Sequence, residues 1–374
     1  MSILGDPSYE HAAYLFDKTV KTFSYKDLLF NYIALDVEFK FPSNVKYPCI
    51  PTRVDDNVDI YPRYGRSVIT GAEYLVAKSM GCKLYVKSGV IIPFKGNNGA
   101  TDIRKEGYEL DYFGPYRDIV KELQRKRRKH PKKSFLNLLF KLIGNSGYGQ
   151  ISMGISDKKA FDVKTNTYIS IKGGLLANPI LASYITGFNR ALIGECMNNI
   201  EKLGGVILST TTDGFLTDVA DLESKMLDLS NENTYCLMLY RKIREYLTSF
   251  DGVESDSSAL EIKNVEDAGI ISLKTRGQLG FTNGGISAVT GFQTRGIEKS
   301  HLVSVFSDLV TDDSVDKKIE YIQTGLRSAS DIYKKGGHMI ATYKDRSYNL
   351  EYDNRRRIIE ENDSNKKGML DSKP

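Results

Sequence analysis

The apolar pattern of this chain switches between period two and period 3.6 with no regular rhythm, and that constrains its fold most. Period-two runs such as IALDVEFKF (33–41) and KLYVKSGVIIPF (83–94) predict strands. DIYPRYGRSVITG (59–71) reads as strand and turn, and AEYLVAKSMG as a short helix stopped by Gly81. Two helices follow. One runs from about Tyr116 to Lys129 and is ended by Pro131; the other is capped by Ser134 and runs to about Tyr148. Residues 152–171 read as loop and strand, 177–203 as a long helix ending at Gly204-Gly205, and 206–218 as a hairpin. Residues 10–34 read as mixed helix and loop, 99–112 as a polar loop, and 220–250 and 300–335 as helical. Residues 259–281 read as two or three strands, and the last forty are charged and weakly patterned. Strands broken by helical blocks, without βαβ alternation, predict a mixed α/β (α+β) protein.

With 374 residues the chain can build two or three packed subdomains. No apolar run is long enough to cross a bilayer, and MSILGDPSYEH lacks the features of a secretory signal. The four cysteines are scattered, which argues against a zinc site or disulfide framework and for a reducing compartment, taken as the cytoplasm. A net charge of +5 says little alone, but RKRRKHPKK (125–133) holds seven Lys or Arg in nine positions. Such clustering suits a phosphate backbone, and equally a solvated helix end. The 23 tyrosines suit base stacking or ordinary packing.

In the helix starting at Ser134, residues 134, 137, 141, 145 and 148 share one face: Ser134, Asn137, Lys141, Asn145 and Tyr148. Leu136, Leu139, Phe140 and Ile143 lie largely opposite and are expected to anchor the helix in the core. Gly144, Gly147 and Gly149 border the polar stripe, at a cost of about 1 kcal/mol each in helix propensity. Close approach of another body is one reason for them. A nucleotide would fit, with the Lys on phosphate and the Tyr on sugar or base. So would an ordinary amphipathic helix with a glycine-rich end.

Further on, Asp213 sits at the tip of the hairpin in STTTDGFLTD. Asp-Gly is a favoured type I′ turn pair. A carboxylate on a rigid turn is also how Mg²⁺ is often held, with substrate phosphate and water completing the shell.

Lys141-x-x-x-Asn145-Ser146-x-Tyr148-Gly149 resembles motif B of family B DNA polymerases at every defining position. The resemblance implies a partial right-hand fold with a mixed or antiparallel palm sheet, helical fingers and part of a thumb. It implies that Lys141 binds the incoming triphosphate, that Asn145 and Tyr148 line the pocket, and that Arg125 or Arg128 assists. TTDGF resembles motif C, usually D-T-D-S, with Thr211 in place of the first Asp and Gly214 in place of the Ser; Asp213 matches the metal-binding Asp. This variant is similar to that of phage and linear-plasmid polymerases, many of the protein-primed type. Lys274 matches the Lys of the K-x-Y region that grips the primer, with Arg276 in place of Tyr; two apart on a strand, they would share a face. YITGFNRA resembles the palm helix before motif C, with Arg190 in support. EYDNRRRII resembles a thumb segment whose Arg355 and Arg356 would track duplex phosphates, and Gly149 would leave room for DNA.

Motif A, roughly D-x-x-(S/G)-x-Y-P, is not found. Asp36 in ALDVEF is followed by no Tyr-Pro at the right spacing, and VEFKFPSNVKYPCIPTR resembles the segment after motif A, which makes Asp36 a palm strand residue. The expected division is palm after motif A (1–112), fingers (113–150), palm with motif C (151–295) and partial thumb (296–374). The expectation is the C-terminal-side piece of a split polymerase. Its partners would be primer–template DNA, deoxynucleotides, two Mg²⁺, a second polypeptide with motif A and exonuclease, and a terminal protein. A catalytically inactive remnant and an unrelated basic RNA-binding module are the rivals.

Overall fold

A computed structural model of the chain describes residues 4–16, 27, 31–55, 58–95, 114–153, 158–171, 174–229, 234–250, 257–262, 269–274, 277–282, 285–290, 304, 311, 317–348, 357–358 and 372–373. Everything said of structure below concerns these residues. The arrangement is α+β, and its strands pair antiparallel throughout.

The frame of the molecule is a four-stranded sheet in the order β1-β6-β2-β5, where β1 is Ala13–Phe16, β2 is Asn31–Lys40, β5 is Tyr64–Thr70 and β6 is Lys83–Pro93. A small hairpin, β3 (Thr52–Asp55) and β4 (Val58–Ile60), precedes β5. Alternation in β2 sets the sheet's two faces. Ile33, Leu35, Val37 and Phe39 are buried; Glu38 and Lys40 are exposed on the other side. Helix α1 (Gly71–Ser79) follows β5 directly and buries Ala72, Leu75, Val76 and Ala77 in the same core. Gly81, at φ 77°, ends this element in the left-handed region, as its place in the sequence predicts. The strand at Ala13–Phe16 is not legible as such in the sequence: it is four residues long and owes its form to pairing with β6.

The long helix α4 (Pro179–Lys202) crosses this core. Asn178 caps it through the Leu181 N–H at 3.1 Å, and Pro179 occupies the first turn. Leu181, Ala182, Ala191, Leu192, Cys196 and Ile200 are buried in the shared cluster. Tyr184 ties the helix to the sheet: its hydroxyl accepts from the Ile33 N–H at 2.8 Å and donates to the Asn31 carbonyl at 3.0 Å. Gly187 marks the closest crossing, since a Cβ there would lie 2.5 Å from Thr70 Oγ1.

Among the described residues of 220–250 are two helices, α5 (Leu222–Leu227) and α6 (Tyr235–Thr248). Glu195 on α4 caps α6, accepting from the N–H groups of Cys236 (2.9 Å) and Leu237 (2.8 Å). Burial outweighs these bonds and pushes its carboxyl up to about 8 from the ordinary 4.5. The folded state therefore holds this proton more tightly than the unfolded chain, and stability falls as pH rises from about 4.5 to about 8, then levels. Urea denaturation at pH 5.5 and 8.5 checks this. Glu195→Gln, which cannot titrate, is expected to flatten the difference; an unchanged slope would rule Glu195 out as its source.

Two helices stand beside this core: α2 (Arg117–Arg128) and α3 (Phe135–Ser152). Helix α3 is longer than the sequence predicts and runs through all three glycines. Its expected anchor is not observed. Leu136 and Ile143 are 41% and 44% exposed, while Leu139 and Phe140 are half-buried. The buried residue of the first turns is instead Asn137, from the polar stripe. Its amide donates to the carbonyls of Arg127 (3.1 Å) and His130 (3.2 Å), so α3 is seated on the end of α2 by hydrogen bonds rather than by an apolar face.

The hairpin β7–β8 (Lys158–Asp162, Thr167–Ile171) follows α3. Strands β9 (Ile207–Thr210) and β10 (Phe215–Thr217) form the hairpin that carries Asp213. Strands β11 (Gly269–Lys274), β12 (Gly277–Thr282) and β13 (Gly285–Thr290) form a three-stranded sheet. The helix expected over 300–335 is broken among the described residues: 304, 311 and Ala329–Lys335 (α7) are helical, but Lys317–Leu326 is a strand, β14, paired along its length with β15 (Met339–Tyr348). Lys, Glu and Leu favour helix locally, but ten-residue pairing with a distant partner overrides that preference.

Candidate active site

Helix α3 starts at Ser134, whose Oγ accepts from the Asn137 N–H. Beyond the turn that seats it, Lys141 and Asn145 are exposed and Tyr148 is half-buried. No hydrogen bond or ion pair engages any of the three side chains among the described residues, so a polar face is open to a ligand. Ser134 and Asn137 do not contribute to that face, because they serve the junction with α2.

The two arginine candidates on α2 differ. Arg125 grips Glu122 with two guanidinium nitrogens, at 2.6 and 2.7 Å. Both groups are exposed, so the pair is of little net worth and leaves Arg125 able to exchange partners. Arg128 donates to the Thr248 carbonyl at 3.4 Å, at the end of α6, where a cation suits the free carbonyls.

Asp213 is exposed and has no partner among the described residues. Its turn is closed by the Thr211 N–H, which donates to the Gly214 carbonyl at 2.7 Å; the Thr211 hydroxyl donates to the same oxygen at 3.1 Å. Thr212 and Asp213 form the two-residue tip. The turn is not the type I′ expected of Asp-Gly, because neither Asp213 nor Gly214 has positive φ. Thr211, in the place of a first Asp, serves the structure instead, since its side chain helps close the turn.

On α4, Asn189, a residue of the YITGFNRA segment given no role in the sequence, bonds this turn, and the adjacent Arg190 bonds α1. Asn189 Nδ2 donates to the Thr212 carbonyl at 2.5 Å. Arg190 Nε bonds Glu73 Oε1 at 2.8 Å, and Glu73 Oε2 accepts from the Thr70 N–H (2.8 Å) and hydroxyl (2.9 Å). Polar residues at 189 and 190 on a mostly apolar helix are the only signal of this in the sequence.

The end of α3 is bonded to the start of α4, the Asn178 N–H donating to the Ile151 carbonyl at 2.9 Å. From this junction Lys141 lies ten residues back along α3, about 15 Å, and Asn189 eleven residues on along α4, about 16 Å. No ion pair joins Lys141 to Asp213 among the described residues; each stands open to solvent on its own element.

Asp36 takes no part. Arg66 on β5 binds it through both oxygens, at 2.9 and 2.5 Å, and holds its carboxyl below the ordinary value. Among the described residues no three His, Cys, Asp or Glu gather as a metal site. Lys274 is the last described residue of β11 and pairs with Gly277 on β12. The side chain of Lys274, and Arg276, Arg355 and Arg356 altogether, lie outside the described residues, as does the polar loop 99–112. No helix among the described residues is long and apolar enough to cross a membrane.

Over 243 residues, 65% of its length, the chain is 32% identical to the primer-independent DNA polymerase PolB of Escherichia coli. The chain is similar to a DNA polymerase. It spans about a quarter of that relative, 26%. No family model matches it. Among solved structures, Phi29 DNA polymerase with primer–template DNA aligns over 90% of this chain and 53% of its own, at 12% identity and a TM-score of 0.48. The ternary complex of the same polymerase with DNA and incoming nucleotide aligns over 57% and 36%, at 16% identity and a TM-score of 0.37.

Proposed function

We propose that the chain is the fingers, motif C and partial thumb portion of a family B DNA polymerase, of the protein-primed type that TTDGF resembles. In this reading it adds deoxynucleotides to a primer 3′-OH once a second carboxylate is supplied from outside these 374 residues by a partner chain with motif A and an exonuclease. The observation that carries it is the pairing of two open groups on bonded elements. Asp213 stands unpartnered among the described residues on a closed turn, and Lys141, Asn145 and Tyr148 face out from a helix whose end is bonded to the helix behind that turn. The similarity to PolB supports it.

The divisions at 112, 150 and 295 belong to the same proposal. Lys141, with Arg125 or Arg128, holds the triphosphate, and Asn145 and Tyr148 line the sugar and base. Lys274, Arg276, Gly149, Arg355 and Arg356 follow the DNA. An exposed carboxylate free of competing cations fits Mg²⁺, which takes one or two protein carboxylates with substrate phosphate. When bound, two such ions activate the 3′-OH and stabilise the leaving pyrophosphate. Asp213 supplies one carboxylate, and Lys141 neutralises charge on the phosphates. A bacterial cytoplasm and a terminal protein as primer complete the proposal.

The test is incorporation on primed DNA by the purified chain, alone and with a polypeptide carrying Asp-x-x-(Ser/Gly)-x-Tyr-Pro. Incorporation only with the partner is the expected result. Binding of nucleotide or DNA without incorporation in either mixture identifies an inactive remnant instead.

A further inference from the structure

We infer that Asn189 is a positioning residue: from α4 it clamps the carbonyl of Thr212 and so fixes where the Asp213 carboxylate is presented. The inference rests on the metal-binding reading of Asp213 given above.

Asp213 has no side-chain partner of its own among the described residues, so the backbone of its turn decides where its oxygens lie. One constraint is the closure between Thr211 and Gly214. A two-residue tip held only there is free to rock about that closure. Asn189 adds a constraint on the far side, at 2.5 Å from the Thr212 oxygen. The peptide group is planar, so holding that oxygen also holds the Asp213 nitrogen and Cα in the same plane. Little is left to move except the rotations of Asp213 itself. A second contact on the same stripe of α4, Thr210 Oγ1 to Met197 Sδ at 3.5 Å, lays the hairpin along the helix.

The clamp has a fixed base. Gly187, two residues before Asn189, is packed against Thr70, and Arg190, the next residue, is bonded to the buried Glu73. This stretch of α4 is therefore tied to α1 and β5 on both sides of Asn189.

The chemistry of the side chain also fits. Water would satisfy an exposed carbonyl equally well, so stability is not what the contact adds. An amide donates without charge. A Lys or Arg at 189 could reach the same oxygen, but its cation would compete with metal for Asp213. A carbonyl only accepts, so the amide must present its NH₂ here.

The experiment compares the parent chain with Asn189→Leu, of similar size but without a donor, and Asn189→Gln, which keeps the donor on a longer arm. The first readout is hydrogen exchange of the Thr211 amide, whose bond to Gly214 reports opening of the turn. The second is steady-state incorporation with the motif A-bearing partner, titrated with Mg²⁺. For Asn189→Leu, Thr211 exchange is expected to quicken about tenfold or more. Turnover is expected to fall about tenfold or more. The Mg²⁺ needed for half-maximal rate rises, the nucleotide KM stays within about twofold and the melting temperature holds. Asn189→Gln recovers part of both losses. Unchanged Thr211 exchange overturns the proposal, and so does a loosened turn with undiminished turnover. A general fall in melting temperature that accounts for the lost rate overturns it as well. If the parent itself incorporates nothing while Asn189→Leu still loosens the turn, the metal-binding reading has failed. The clamp is then a purely structural contact.

Discussion

Asp213→Asn is expected to lower incorporation by the reconstituted polymerase more than about 100-fold, with no change in melting temperature. The change keeps the shape of the side chain and removes its charge. A neutral amide is a poor ligand for a hard dication that prefers carboxylate oxygen. Losing even an outer partner of a metal ligand commonly costs about 10- to 100-fold, and loss of the ligand itself should exceed that. The stability half of the prediction follows from geometry. Asp213 is exposed and unpartnered among the described residues, and the turn is closed by Thr211 and Gly214, which the substitution does not touch. Primer extension beside a thermal melt reads both halves. A variant retaining a tenth of parental activity would remove Asp213 from the chemistry.

Glu73→Ala is expected to cost about 3 kcal/mol of stability, the largest loss foreseen for a residue remote from Asp213. One carboxylate does two jobs. It completes the cap of α1 by accepting from the Thr70 N–H and hydroxyl, and it receives Arg190 from α4. Loss of a helix cap alone costs about 1 kcal/mol. The remainder comes from Arg190 losing its partner. That cost stays below the upper range for buried pairs, because the Arg190 side chain is 31% exposed and can turn toward water. Glu73→Gln keeps an acceptor for the cap and is expected to fall between parent and Ala. Urea denaturation of the three proteins measures the order, and a loss under about 1 kcal/mol for Glu73→Ala would show that the two bonds are replaceable.

Much of the frame is legible in the sequence because its causes are local. The alternation of β2, the Ser134 cap and the stop at Gly81 each depend on a few adjacent residues. What is not legible depends on partners distant in sequence. Lys317–Leu326 reads as helix until its ladder with 339–348 is formed. Helix α3 shows an amphipathic pattern, yet the pattern does not say which side meets α2, and Asn137 takes the seat expected of Leu136 and Ile143. Motif spacing singles out Lys141 and Asp213 as candidates. Asn189, 23 residues from its partner Thr212, needs coordinates, because nothing in a helical repeat marks one amide as reaching a particular carbonyl.

The four cysteines make a practical chemical handle. Cys49, Cys82, Cys196 and Cys236 are all buried and free of disulfides. Burial raises every one of their thiols, Cys82 to about 12 and the others well above the ordinary range. Maleimides and other thiol reagents attack the thiolate, so the native protein should resist them and the opened chain should not. A single cysteine engineered at exposed Asn145 could then carry a fluorophore onto the face proposed to bind nucleotide without removing the native four. The rate at which those four react would time the opening of the core.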